Sequence, residues 1–167
     1  MKILLVFLIL FFIIYVYFSF NYSQMTYVES NIDYNYYLVR DDSDKQKAAN
    51  LLSKIKINID KLTNYCYENR YEYNNMKPYI EQLYRRIQNS FIVESNKNST
   101  YTSYSVNKGE QLVFCIRSKD NNENFHDLNL LMYVVIHELA HVGCPEYGHT
   151  PLFKEIFVFL CEISIKI

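Results

Sequence analysis

The sequence predicts an α+β domain behind one N-terminal transmembrane helix. Three observations predict it: an uncharged apolar run at the start, two adjacent β-branched and aromatic runs around "NKGE", and several stretches of helical period on either side of them. The chain has 167 residues and a formal net charge of -1, with half its residues apolar and 17 of them Tyr. That length suits one domain with a sizeable core, and the charge balance leaves no basic patch, so nucleic acid is not an expected partner.

From Ile3 to Phe20, "ILLVFLILFFIIYVYFSF" carries no charge. Its 18 residues would rise roughly 27 Å as a helix, close to the hydrocarbon thickness of a bilayer. Residues 1–20 are therefore expected to be an uncleaved, single-pass signal-anchor, because no small-x-small cleavage site follows. Lys2 lies on one side and the first charge on the other is Glu29, which favours a translocated C-terminal domain with Asn98 in a glycosylation sequon. Residues 21–42, rich in Tyr and Asn, read as a tether, and residues 43–167 as the functional domain.

Ser43 and Gln46 have capping-box spacing, and Ala48, Leu51, Leu52, Ile55, Ile59 and Leu62 then recur at helical intervals to about Asn69. A second helix opens near Pro78, suited to a first helical position, and runs through "YIEQLYRRIQNSF". "TYTSYSV" and "QLVFCIR" form a hairpin turned at Gly109. Asp127 caps a helix carrying "LNLLMYVVIHELAHV", apolar on nearly every face and so central. After the break "GCPEYG", Thr150-Pro151 starts the last helix. Cys66, Cys115, Cys144 and Cys161 show no paired metal-ligand spacing; they allow three disulfide connectivities or none.

His137 and His141 stand four apart on the central helix, so both imidazoles face one point. With Glu138 they form H-E-x-x-H, in which two rings bind Zn2+ and the glutamate acts as general base on a metal-activated water. A third ligand must come from His149, Glu155 or Glu162. His149 is preferred, since a short loop can fold it back, while Glu162 can pair with Lys166 on a solvated face. His126 reads as a surface residue and Cys144 as a loop thiol. Tyr104 and Tyr147 are both able to donate to an oxyanion, and nothing in the sequence chooses between them.

"HELAH" followed by "GHTPLF" resembles the SprT-like and WLM group of small zinc metallopeptidases, in which a G-H-x-x-x-F element supplies the third histidine. From about Thr100 to Phe153 the chain looks still more like uncharacterised members from large DNA viruses. The resemblance covers roughly a third of the chain. It implies a minimal zincin-type fold, His137, His141 and His149 as zinc ligands, Glu138 as catalytic base, and an edge strand able to hold an extended protein or peptide substrate. The chain lacks the basic extensions of DNA-directed relatives, so their role on DNA is not carried over. The expected function is a membrane-anchored zinc-dependent metalloendopeptidase. The alternative is an inactive, membrane-anchored zinc-binding structural or interaction protein, for example of a viral particle.

Overall fold

A computed structural model describes the backbone of residues 2–22, 25–120 and 122–167, with side chains of residues 4–17, 25–120 and 122–167. Among the described residues there are five helices and five strands. The first helix, α1 (Lys2–Tyr22), exposes every described side chain it has. The expected anchor needs correction: among the described residues no helix is long and apolar enough to cross a membrane. Residues 1–3 and 18–20 of the expected anchor lie outside the described side chains. The single-pass topology, the membrane partner, the translocated placement and the sequon argument at Asn98 fall with it.

The expected tether is also different in the structure. Residues 23 and 24 of it lie outside the described residues, but β1 (Met25–Glu29) and β2 (Tyr36–Arg40) form an antiparallel hairpin. Its turn is closed by Ser30 N–H donating to Asn35 O at 2.9 Å, with Tyr34 in the left-handed region. β2 then pairs in parallel with β3 (Phe91–Glu94), β3 in parallel with β5 (Gln111–Phe114), and β5 antiparallel with β4 (Tyr104–Val106). The sheet is mixed and ordered β1-β2-β3-β5-β4, larger than the small hairpin expected. Only the β4–β5 hairpin was foreseen; the expected second helix stops at Ile87, and its last residue, Phe91, starts β3.

The helices supply the other half of the core. α2 (Lys45–Glu68) buries Ala48, Leu52, Ile55, Ile59, Leu62 and Cys66, one stripe at 3.6-residue spacing. These pack with Tyr37, Val39, Ile92, Leu112 and Phe114, alternate residues of the strands that share one face of the pleat. The capping box is not formed: the cap is Asp44, and the Gln46 amide instead donates to Glu29 O at 2.9 Å, tying α2 to the first hairpin. α3 (Lys77–Ile87) opens near Pro78 as expected, with the proline one residue inside its start. α4 (Leu128–Gly143) is capped by Asp127, whose carboxylate accepts from Asn129 N–H at 2.8 Å. α5 (Pro151–Lys166) is capped by Thr150, whose hydroxyl oxygen accepts from Phe153 N–H at 3.2 Å. All four cysteines are free.

At the β4–β5 turn, Asn107, Lys108 and Gly109 have φ of 47°, 58° and 109°. A Cβ on Gly109 would lie 2.8 Å from Val142 Cγ1 of α4, so the turn can approach the helix only as glycine. Gly109→Ala is expected to destabilise the fold by about 1–3 kcal/mol, from strain and overpacking together, as read by urea unfolding.

Candidate metal centre

The site grows from the C-terminal half of α4. Four-residue spacing sets the His137 and His141 rings 4.9 Å apart between centroids. The five residues after α4, from Cys144 to Gly148, reverse the chain, and Gly148, at φ 80°, makes the last bend before His149. The His149 ring then stands 5.0 Å from each of the other two. His137 Nε2 and His149 Nε2 are 3.1 Å apart. One candidate ligand nitrogen from each ring lies within 4.8 Å of the others, so the three histidines could hold a metal ion.

Two features test whether the group suits zinc. Tetrahedral coordination with Zn–N of about 2.0–2.1 Å requires nitrogens roughly 3.3 Å apart, close to the 3.1 Å between His137 Nε2 and His149 Nε2. Ligation also needs neutral imidazole. Burial lowers the pKa of His137, helped by His149, and burial followed by repulsion from His137, His149 and Lys108 brings His141 down to about 4. Both rings are therefore neutral at ordinary pH with lone pairs available.

Phe153, on the first turn of α5, forms the back wall. It is 3% exposed, stacks on His141 at 4.2 Å and meets His137 and His149 edge-on at 5.0 and 4.9 Å. The Thr150 cap and Pro151 therefore aim both the third histidine and the ring that supports all three.

Glu138, one residue along α4, is 6% exposed and lies at the base of an open cleft of about 730 Å³. Burial pushes its carboxyl up to about 7, against the lowering effect of a hydrogen bond from Ser105 backbone N–H. Ser105 belongs to β4, the last strand of the sheet, so the strand edge and the carboxyl face the same space. Tyr104, Lys108 and Tyr147 also line the cleft.

The other candidates stand apart. Glu155 and Glu162 are exposed on α5 and outside the histidine group, and no ion pair joins Glu162 to Lys166 among the described residues. His126 is half-buried beside the Arg117–Phe125 bridge, with its N–H donating to Ile116 O. Cys144 is fully buried at the end of α4 and is not in the group. Ser105 and Lys108 escaped the sequence reading; the only signal was the Asn-Lys-Gly turn.

No protein-family model matches the chain. It is 44% identical over 145 residues to uncharacterized protein R325 of Acanthamoeba polyphaga mimivirus, covering 87% of this chain and 73% of that protein. A shorter match, 43% over 61 residues, links it to uncharacterized protein 136R of Invertebrate iridescent virus 6, covering 36% of this chain and 34% of that one. Among solved structures, the crystal structure of Wss1 from Saccharomyces cerevisiae superposes with a TM-score of 0.53 at 18% identity, covering 77% of this chain and 86% of that chain. At that identity the likeness is one of fold.

Proposed function

The chain belongs to the family of uncharacterized protein R325 of Acanthamoeba polyphaga mimivirus, and we propose that it is a zinc metallopeptidase of the WLM type that cleaves protein or peptide substrates. The observation that carries this reading is the triangle of His137, His141 and His149 with the buried Glu138 carboxyl beside it, all open to one cleft. The Wss1-like fold supports it and favours the WLM side of the resemblance over the SprT-like one.

His137, His141 and His149 would hold zinc through neutral ring nitrogens, three protein ligands being the usual number in a catalytic zinc site. When bound, zinc supplies Lewis-acid polarisation of a peptide carbonyl and a lowered pKa for water. Glu138 does the proton work: its carboxylate takes a proton from water in the cleft and returns it to the departing amine nitrogen. Ser105 N–H holds the carboxylate in place for both transfers. β4 ends the sheet beside Glu138, and its outer edge suits main-chain pairing with an extended substrate.

The test is zinc stoichiometry of the wild type, His149→Ala and Glu162→Ala, together with cleavage of a broad peptide library. Loss of zinc in the histidine variant alone, with cleavage by the wild type, is the expected result. Zinc kept in His149→Ala but lost in Glu162→Ala would overturn the ligand set. A wild type that holds zinc and cleaves nothing would favour a structural zinc site.

A further inference from the structure

A zinc site of this kind depends on a loop with little structure of its own. Among the described residues, no backbone-to-backbone hydrogen bond ties residues 145–149 to one another or to the rest of the chain. Yet this segment must carry His149 back over His137 and His141. The restraint comes from outside it. Lys108 Nζ donates to Cys144 O at 2.9 Å and to Glu146 O at 2.5 Å, and reaches His141 O at 3.4 Å. A lysine ammonium has three donors and no acceptor, and here three carbonyls surround it. The Tyr147 ring lies 4.5 Å from the same nitrogen, and no carboxylate pairs with it among the described residues.

The placement follows from the fold. The last carbonyls of α4 lack helical partners and form the negative end of its dipole, where a cation is favoured. Gln82 covers Gly143 O at 2.8 Å and Arg86 covers Val142 O at 2.8 Å, both from α3. Lys108 takes Cys144 O and Glu146 O beyond them, from a left-handed turn that Gly109 lets lie against Val142. The ammonium is thus anchored to the sheet while it grips the loop.

We infer that Lys108 is a positioning residue for the third histidine: it pins the segment between α4 and α5 so that His149 meets His137 and His141. This rests on the zinc reading above and goes beyond it, since the hydrogen bonds of Lys108 go to main-chain carbonyls and to no ligand ring. It acts by pre-arranging the ligand set, so its removal should appear in metal affinity and not only in turnover.

The experiment measures zinc affinity of the full chain against a chromophoric chelator. Lys108→Met is expected to weaken zinc binding roughly 10- to 100-fold, the range for groups that support a ligand, and Lys108→Arg to recover most of it. In a His149→Ala background, where the weaker binding by His137 and His141 is read with zinc in excess, Lys108→Met is expected to change affinity by less than about twofold, because the residue through which it acts is gone. Equal losses in both backgrounds, or no loss in either, would overturn the inference. A Lys108→Met chain that fails to fold, as judged by circular dichroism, would also overturn it by making Lys108 a residue of the fold. A wild type that takes up no zinc defeats the metallopeptidase reading itself, which none of the other outcomes does.

Discussion

Glu138→Gln is expected to lower peptide cleavage by about 100- to 10,000-fold while leaving zinc content at the wild-type level. The amide has the volume of the carboxyl, and its oxygen can still accept from Ser105 N–H, so the base of the cleft keeps its shape. What it loses is the ability to take up a proton and give it back. The side chain is outside the histidine group, which is why metal content and turnover should separate. Its burial suits the role: with the carboxyl pushed up to about 7, its affinity for a proton is greater than that of an exposed glutamate. Parallel assays of zinc content and of fluorogenic peptide cleavage decide the matter. Joint loss of both would make Glu138 a support for the metal, and unchanged cleavage would remove it from the proton transfers.

The parts of the site that were legible in the sequence are those that one helix or one helix start determines. Four-residue spacing in α4 puts His137, Glu138 and His141 on one turn, and the Thr150-Pro151 pair places His149 at the mouth of α5. The hairpin at Gly109 was legible because a turn residue separates two runs of strand formers. β1 and β2 were not, since Tyr27, Tyr36 and their neighbours belong to a stretch so rich in Tyr and Asn that it lacks clear apolar alternation. β3 has four residues, too few for a period, and is recognisable only by its parallel partners β2 and β5. The contacts of Lys108 and Ser105 with α4 cross more than thirty residues of sequence, and no local pattern encodes them. The apolar N-terminal run does form a helix, but the membrane span that its composition suggests is not found among the described residues.

Away from the cleft, Glu94→Ala is expected to destabilise the fold by about 3–5 kcal/mol, the usual loss when a buried ion pair is broken from one side. Glu94 and Arg117 have side chains 0% and 2% exposed, and Arg117 Nε donates to Glu94 Oε1 at 2.6 Å. The second carboxylate oxygen accepts from Arg40 backbone N–H at 2.8 Å, while Arg40 Nε donates to Ser95 O at 3.0 Å. Arg117 also reaches Asp44, the cap residue of α2, and lies over the Phe125 ring at 4.5 Å. One carboxylate therefore joins β2, β3 and the segment after β5, and indirectly the start of α2. Burial alone would lower the pKa of Arg117, but Asp44 and Glu94 outweigh it, so the guanidinium stays charged. Its Nη2 already lacks a partner, and alanine at 94 would leave Nε and the Arg40 N–H unpaired as well. Urea unfolding at fixed zinc measures the effect, since bound metal would otherwise add to the apparent stability. A loss below about 1 kcal/mol would mean that water reaches the network and the pair behaves as a surface one. The double variant Glu94→Leu with Arg117→Met removes both charges together and is expected to recover a large part of the loss, because the cost lies in the stranded charge more than in the bond itself.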